Sequence, residues 1–427
     1  MGLRHCKGAF AMKQFCILNE NEYKDFQEKS AQRSFMNSIE AINLKKTNGW
    51  DVEYAGVKED GRLIAATPLT YIPVMKVYRF CHAQGGLLAD YRDMETLTFF
   101  TEELKKYLSG RRVMYMLMNP CMNYVERDAE GNQVEGGYDN SDVLASLQKL
   151  GYEHQGFPTD YSAFTMISWV SAMDLKDKNE AQVVKEMDQR CRRSLNRAEK
   201  QGICVRELSP EETYKFIEME EHTAKRRGFS MREHSFYEKQ LAAYGEHAKI
   251  MLAYMDLGAL CDSLGKESEK LQRDLDSVNA KLAENPESAN QKKKLKAAEQ
   301  ALELNEKKRA EALELKEKHG SLIEMAAGFF VIYDNEAVFL YGAAYDEYKK
   351  YNASYALQFA MIRYCLEHHI PRYNFYGISG NFSKDADDYG VYEFKRGFGG
   401  IVEQFIGEFI LPVRKGAYKL YRTLKKK

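Results

Sequence analysis

Neighbouring basic residues are the first feature of this sequence that could do chemistry. Cations stand side by side at residues 225–227, directly before Gly228, and again at Lys45 and Lys46. Adjacent cations repel one another unless carboxylates or a ligand anion neutralise them. The pattern therefore predicts phosphate binding at the cluster Lys225, Arg226 and Arg227, with neutralisation by carboxylates as the alternative. For Lys45 a structural role is an equal alternative, because a cation near the carboxyl end of a helix stabilises the helix dipole.

A lysine near the end of the chain, Lys395, is a candidate for electrostatic catalysis. It follows Phe394 within residues 373–400, a stretch dense in aromatic and polar side chains that also holds Tyr376. A lysine held beside aromatic rings in a cleft can stabilise a developing oxyanion far better than a lysine in water. The alternative is a surface cation at the end of a strand, and spacing alone does not decide between the two.

Motifs of other catalytic classes are absent from the sequence. It has no GxSxG elbow, no Walker loop and no GxGxxG after a strand, and its eight cysteines form no CxxC pair. This pattern argues against a zinc site or a disulfide framework and favours a reducing cytoplasm. The net charge of −1 over 427 residues excludes a uniformly basic nucleic-acid binder, so any polyanion site is a local patch.

The elements that must position these residues form two α/β halves, and a helical arm interrupts the second. Residues 257–320 lack Phe, Tyr and Trp, and their apolar residues recur mostly at alternating steps of three and four. This rhythm, broken at Pro286, predicts an antiparallel coiled-coil hairpin. Apolar segments at 249–254 and 326–333 are typical of paired strands, so the arm is an insertion between them. A spacer or dimerisation handle and a tRNA- or partner-binding arm are equal alternatives for its role.

The predicted division of the chain has four parts. They are an N-terminal extension at 1–13, a first domain at 14–168, a second domain at 169–256 and 321–427, and the arm at 257–320. Within the second domain, a predicted helix at 180–200 is basic through Arg190, Arg192, Arg193, Arg197 and Lys200.

The last residues of the chain, 411–427, contain lysines, arginines and tyrosines but no acid. They predict a basic amphipathic tail suited to an anionic membrane or to tRNA, with a plain solvated helix end as the alternative. No segment is long and apolar enough to span a bilayer. A cytoplasmic protein, peripheral to the membrane, is therefore expected.

Several stretches resemble the Fem/Mur family of peptidoglycan interpeptide-bridge aminoacyltransferases. They are YIPVMKV at 71–77, GYEHQGF at 151–157, MDLKDK at 173–178, AEKQG at 198–202 and YNFYGISG at 373–380. The resemblance covers nearly the whole chain and implies two GNAT-like (acyl-CoA N-acyltransferase-like) domains of α/β type with the inserted hairpin. It implies transfer of Gly, Ala or Ser from aminoacyl-tRNA to the stem-peptide lysine, or to the growing bridge, on lipid II or UDP-MurNAc-pentapeptide. The family uses no metal and no acetyl-CoA, so no cofactor is expected.

The resemblance also assigns residues and partners. The site residues that it implies are catalytic Phe394 and Lys395 and substrate-binding Lys45, Arg226, Arg227 and Tyr376. Further expected partners are the inner membrane face, through the basic tail, and a second copy or a related Fem/Mur protein. One departure concerns Asn119, because relatives commonly carry Asp-Pro where this chain has Asn119-Pro120. A catalytic base at that position is therefore in doubt.

Two rival functions belong to other classes. An acyl-CoA-dependent GNAT enzyme would retain CoA and leaves the arm unexplained. A non-catalytic scaffold that binds tRNA or lipid II would be favoured if Phe394 and Lys395 lay away from any cleft.

Overall fold

The architecture is known from a computed structural model that describes residues 12–160, 166–228 and 232–425. It is a mixed α/β fold built around two seven-stranded sheets. The strands of the first sheet are β1 (Lys13–Leu18), β2 (Asp51–Glu59), β3 (Arg62–Val74), β4 (Tyr78–Ala83), β5 (Val113–Met118), β6 (Glu153–His154) and β14 (Phe409–Pro412). The strands of the second sheet are β7 (Trp169–Asp174), β8 (Ile203–Glu207), β9 (Ala248–Asp256), β10 (Leu322–Ile332), β11 (Ala337–Ala344), β12 (Arg372–Gly377) and β13 (Ile401–Gln404).

Helices pack on the faces of these sheets, and two long helices form the arm. Those of the first half are α1 (Glu20–Gln27), α2 (Ile39–Thr47), α3 (Met94–Gly110) and α4 (Ser141–Lys149). Those of the second half and the arm are α5 (Glu180–Glu186), α6 (Gln189–Lys200), α7 (Thr213–Arg227), α8 (His234–Tyr244), α9 (Leu257–Glu284), α10 (Ala289–His319), α11 (Ala353–Glu367), α12 (Tyr389–Gly397) and α13 (Lys415–Lys425).

The two sheets have the same strand arrangement. The orders are β1-β2-β3-β4-β5-β14-β6 and β8-β9-β10-β11-β12-β7-β13, and each sheet contains one parallel pair, β4 with β5 or β11 with β12. β14 therefore occupies in the first sheet the position that β7 occupies in the second. β14 pairs antiparallel with β5, and β7 pairs antiparallel with β12. Each therefore supplies hydrogen bonds to one strand of the parallel pair, whose outer edge would otherwise be open.

The place of β14 in the first sheet changes the domain division expected from sequence, which placed all of residues 321–427 in the second domain. β14 pairs with β5 and β6, and α13 packs on β5, so the end of the chain joins the first sheet. The physical reason is the free edge of β5, which a four-residue strand from the far end of the chain covers.

Two long helices form the arm. α9 and α10 lie against each other between β9 and β10, which pair antiparallel from Asp256 opposite Leu322. Inside the helix seam Asn305 is buried, and its Nδ2 donates to the Leu264 carbonyl at 2.9 Å and to the Ser268 hydroxyl at 2.7 Å. A single polar residue in such a seam fixes the register of the two helices.

We expect Asn305→Ala to lower the free energy of local arm opening by about 1–2 kcal/mol, because two buried hydrogen bonds are removed. Hydrogen exchange measured by mass spectrometry should show faster exchange in α9 and α10 and unchanged exchange in the sheets. Asn279→Ala is the matched control, since Asn279 is exposed on α9. Equal exchange in the two variants would contradict the register role.

Candidate active site

A cleft opens in the second sheet where its two parallel strands separate. β11 and β12 pair only from Ala337 opposite Tyr373 and from Val338 opposite Asn374, and beyond these positions the strands diverge. The cleft has a volume of about 1060 Å³, and the diverging ends of both strands line it. Divergence exposes backbone groups and side chains of both strands to one ligand-sized space, which is typical of a binding site.

Lys395 lies in this cleft, on α12, with only 5% of its surface exposed. Its Nζ donates to the backbone carbonyls of Tyr376 at 3.2 Å and Gly377 at 2.5 Å. Burial lowers the pKa of Lys395 to about 7, although the carboxylate of Asp388 opposes the shift. The structure therefore places Lys395 as a buried cleft lysine on a helix, and the alternative of a surface cation at a strand end is wrong.

The backbone of Tyr376 is strained, and its conformation orients these two carbonyls. Its φ is +62°, a left-handed conformation that is rare for a residue with a side chain. The side chain of Asn374 accepts the Tyr376 N–H at 2.7 Å and donates to Glu336 at 3.0 Å, which fixes the turn. Such strain persists only where surrounding structure enforces it, and it clusters at functional sites.

The ring of Phe394 lines the same cleft beside Lys395. It packs edge-on against Tyr355, with ring centroids 4.8 Å apart, and against Phe398 at 5.3 Å. Phe394 and Tyr355 therefore make part of the cleft wall aromatic, and an electrostatic interaction is stronger in apolar surroundings than in water.

Arginines of α6 form a second wall of the cleft. Arg190, Arg193 and Arg197 are spaced to share one helix face, and all three line the cleft. Arg190 pairs with Glu393 at 3.2 Å, whereas Arg193 and Arg197 make no ion pair with any described residue. In sequence they stood out only as part of a basic helix, but their spacing already indicated a common face.

The predicted phosphate cluster lies only partly in the cleft. Arg226 lines it and forms an ion pair with Asp346, so one carboxylate already neutralises this cation. The side chain of Arg227 lies outside the described part of the structure. Arg232 also lines the cleft, with its guanidinium 4.5 Å from the Phe236 ring centroid and 4.8 Å from that of Tyr341.

Sequence reasoning did not identify one further titratable group near Arg232. Glu220 on α7 is buried, and its Oε2 has no hydrogen-bond partner among the described residues. Burial raises the pKa of Glu220 to about 7, against the lowering effect of Arg232. Glu220 is one of three glutamates on α7, and nothing in the sequence marks it out, because its burial depends on packing.

Lys45 lies apart from the other predicted site residues, on α2 of the first half. It is not part of the described cleft lining, and its ammonium group lies 4.5 Å from the ring centroid of Trp50. Burial lowers the pKa of Lys45. The structure thus brings Phe394, Lys395, Tyr376 and Arg226 together but leaves Lys45 outside that group.

Asn119 sits near Lys45 in a hydrogen-bonded pair with a buried histidine. The Oδ1 of Asn119 lies 2.8 Å from Nε2 of His82 and also accepts the Gly85 N–H at 3.4 Å. Burial lowers the pKa of His82 to about 4, and the nearby charge of Lys45 adds to the shift. An amide oxygen that accepts from two donors and cannot take up a proton does not act as a general base.

Metal clusters and membrane-spanning helices are both missing from the described residues. Among them, no cluster of three or more His, Cys, Asp or Glu side chains is arranged to hold a metal ion. Within the same ranges, no helix combines the length and apolar character needed to cross a bilayer.

Comparisons with known proteins give the same result for sequence and for structure. The sequence model described as the FemAB family matches residues 18–426. Aminoacyltransferase FemA of Staphylococcus epidermidis is 35% identical over 413 residues, covering 96% of this chain and 99% of that protein. Aminoacyltransferase FemA of Staphylococcus aureus is 33% identical, covering 96% and 98%.

Among solved structures, the crystal structure of FemX superposes with a TM-score of 0.82 at 22% identity, covering 95% of this chain and 99% of that one. This match confirms the predicted fold class, and the full-length matches to named aminoacyltransferases confirm the predicted enzyme class. The chain therefore belongs to the FemAB family.

Proposed function

We propose that this enzyme transfers an amino acid from aminoacyl-tRNA to the amine of a peptidoglycan stem peptide during assembly of the interpeptide bridge. Family membership and the similarity to aminoacyltransferase FemA support this assignment. The observation that carries it is Lys395, a buried ammonium group in a cleft whose other wall is arginine-rich. Arginines bind phosphates, and a buried cation stabilises an oxyanion. One cleft can therefore hold the phosphates at the end of a charged tRNA together with the ester carbonyl that reacts.

The reaction exchanges an ester for an amide. The acceptor nitrogen attacks the ester carbonyl, a C–N bond forms, and the C–O bond to the terminal ribose breaks. The amine loses a proton and the ribose hydroxyl gains one, so the step needs no other reactant. Because Asn119 cannot take up a proton, the departing ribose oxygen is the proposed acceptor of it.

In this mechanism Lys395 stabilises the negative oxygen of the tetrahedral intermediate. The two carbonyls that bind Nζ, those of Tyr376 and Gly377, hold it in place before substrate arrives. Preorganised charge of this kind costs no reorganisation during the reaction. Phe394 keeps the surroundings of the ammonium group apolar, and Tyr376 contributes the backbone turn that orients it.

Phosphate binding is divided between two groups of cations. Arg193 and Arg197 have no carboxylate partner among described residues and are proposed to bind the acceptor stem of the tRNA. Lys45 and Arg226 or Arg227 are proposed to contact the phosphates of the peptidoglycan precursor. The donor amino acid is glycine, alanine or serine, and the precursor is lipid II or UDP-MurNAc-pentapeptide.

Two further partners are part of the proposal. A lipid-linked acceptor lies at the inner membrane face, and the basic tail at residues 411–427 makes a peripheral contact with that surface. The arm allows pairing with a second copy or with a related family member.

The acceptor is tested by supplying labelled amino acids on mixed charged tRNA to three acceptors in parallel. These are lipid II, lipid II already carrying one bridge residue, and UDP-MurNAc-pentapeptide. We expect label on one of them, which identifies both the amino acid and the bridge position. Label on none of them, with tRNA still bound, would contradict the assignment and favour a scaffold.

A pH dependence follows from the lowered pKa of Lys395. The acceptor lysine must lose a proton, with a reference pKa near 10.4, whereas Lys395 must keep its proton and has a pKa of about 7. We expect kcat/KM to rise about tenfold per pH unit below pH 7 and to level off above it. In Lys395→Arg the residual kcat/KM should keep rising above pH 7, because arginine stays charged. Identical profiles for the two enzymes would contradict the role of Lys395.

A further inference from the structure

The C-terminal helix α13 is fixed to the first sheet by one of its faces. Tyr418 is buried, and its ring centroid lies 5.0 Å from that of Tyr115 on β5. The ring of Tyr421 stacks on the same tyrosine at 5.7 Å. The helix is therefore a rigid part of the domain, and its remaining two faces have fixed directions.

The second face of α13 borders a groove of about 710 Å³ that α4 and β6 close on the other side. Lys415, Lys419 and Arg422 line it, and Arg422 pairs with Glu153 at 3.2 Å. The ammonium groups of Lys415 and Lys419 have no partner among the described residues. The groove therefore carries an excess of positive charge.

A further lysine lies at the edge of this groove. The Nζ of Lys105 donates to the Leu150 carbonyl at 2.9 Å, next to the groove residue Gly151. Burial lowers the pKa of Lys105, and the charge of Lys415 adds to the shift. Two cations that repel each other across a concave surface are stabilised when an anion occupies the space between them.

The third face of α13 is apolar and points to solvent. Leu420 is 57% exposed and Leu424 is 55% exposed, and four residues separate them, so they lie on one side of the helix. The tip of the β3–β4 hairpin adds a second exposed apolar group at the same edge of the sheet. There Val77 is 61% exposed, and the next residue, Tyr78, lies under the guanidinium of Arg414 at 6.0 Å.

The hairpin tip has an unusual backbone that presents its side chains. Met75 and Lys76 have φ values of +49° and +59°, in the left-handed region that favours glycine. The loop has three residues, Met75 to Val77, and positions with positive φ in such loops normally hold Gly, Asn or Asp. Met75 and Lys76 therefore hold this backbone at an energetic cost.

We propose that α13 docks on a bilayer that contains anionic phospholipid, with a headgroup phosphate in the groove between α13 and α4. Leu420, Leu424 and Val77 enter the boundary between headgroups and acyl chains, and Lys415 and Lys419 bind phosphate. Charge complementarity selects this occupant, since a helix with lysines beside an exposed apolar face matches an anionic membrane surface. The inference deepens the proposed function, on which it rests for the lipid-linked acceptor, by defining the membrane-binding surface.

Cosedimentation of the full chain with vesicles tests this surface. We expect binding to vesicles of phosphatidylglycerol mixed with phosphatidylcholine and little binding to phosphatidylcholine alone. The double variant Lys415→Ala/Lys419→Ala should bind the mixed vesicles roughly 25-fold more weakly, at about fivefold per lysine. Leu420→Ser/Leu424→Ser should also weaken binding, because the apolar contribution is removed.

Matched control variants are available on the arm. Lys293→Ala/Lys294→Ala removes the same charge from exposed positions of α10, and Leu304→Ser/Leu313→Ser removes two exposed leucines there. Both controls should bind as the unaltered protein does. Equal weakening in the arm variants, or no vesicle binding by the unaltered protein, would overturn the proposal.

The outcome is separable from the proposed transfer reaction. The Lys415→Ala/Lys419→Ala variant should keep full transfer to a soluble, UDP-linked acceptor, because neither lysine lines the catalytic cleft. Loss of vesicle binding with retained soluble transfer supports the docking surface. Transfer without any vesicle binding would contradict the proposed docking surface but not the proposed transfer reaction. Protection of the groove lysines from acetylation by inorganic phosphate alone, without vesicle binding, would also overturn the bilayer as its occupant.

Discussion

Lys395→Met should lower kcat for aminoacyl transfer by about 10²–10³-fold, the usual cost of removing one oxyanion-stabilising donor. Methionine fills a similar volume but carries no charge and no donor. The effect should fall on kcat, with tRNA affinity nearly unchanged, because Nζ is bound to the carbonyls of Tyr376 and Gly377 before substrate arrives. Single-turnover transfer with saturating charged tRNA measures this step directly.

The matched control for this substitution is Lys349→Met. Lys349 lines the same cleft but is exposed at its rim, so its replacement should change kcat little. Thermal unfolding of both variants verifies that they are folded. Turnover of folded Lys395→Met within about twofold of the unaltered enzyme would exclude the electrostatic role, since a donor of this kind is worth at least about 10²-fold.

Arg193→Gln/Arg197→Gln should weaken binding of charged tRNA about 100-fold. Each arginine is proposed to bind one phosphate, and a hydrogen bond to a charged group contributes about 1.5–3 kcal/mol, or roughly tenfold or more. The slope of log affinity against log salt should also shrink by about one for each phosphate that is no longer bound. Filter binding or fluorescence anisotropy over a series of salt concentrations gives both quantities.

Lys200→Gln is the control for these arginines. Lys200 is exposed on the same helix, α6, but does not line the cleft. Its replacement should leave both the affinity and the salt slope close to their original values. An unchanged salt slope in the double arginine variant would place the RNA elsewhere on the molecule.

The arm and its position were predictable from sequence because local patterns determine them. Apolar residues at steps of three and four and the stop at Pro286 predicted the hairpin at 257–320, and the helices occupy Leu257–Glu284 and Ala289–His319. The flanking apolar segments were predicted as a strand pair, and they form β9 and β10. All of this information lies within a few residues of each element.

Features that depend on distant residues were not predictable in this way. The predicted helix at 180–200 is two helices, because Asp188 accepts the Cys191 N–H at 2.6 Å and starts α6. β14 joins a sheet whose other strands lie hundreds of residues earlier, and four residues give no signal for that pairing.

For the candidate site, too, local sequence features were predictable and features that depend on distant residues were not. The types of Phe394 and Lys395 and the resemblance of the surrounding motifs predicted this pair as catalytic. The burial of Lys395 on α12 depends on packing against the carbonyls of Tyr376 and Gly377 on β12, so spacing could not distinguish a cleft lysine from a surface cation. For the same reason the separation of Lys45 from the cleft could not be read from the chain.

The most direct test of the proposed aminoacyl transfer is a comparison of two donors in the same transfer assay. The purified chain receives lipid II with charged tRNA labelled in its amino acid, or with acetyl-CoA labelled in its acetyl group. We predict label on lipid II from charged tRNA, in an amide that survives mild alkali, and none from acetyl-CoA. Label from acetyl-CoA alone, or no label from either donor while tRNA remains bound, would contradict the assignment.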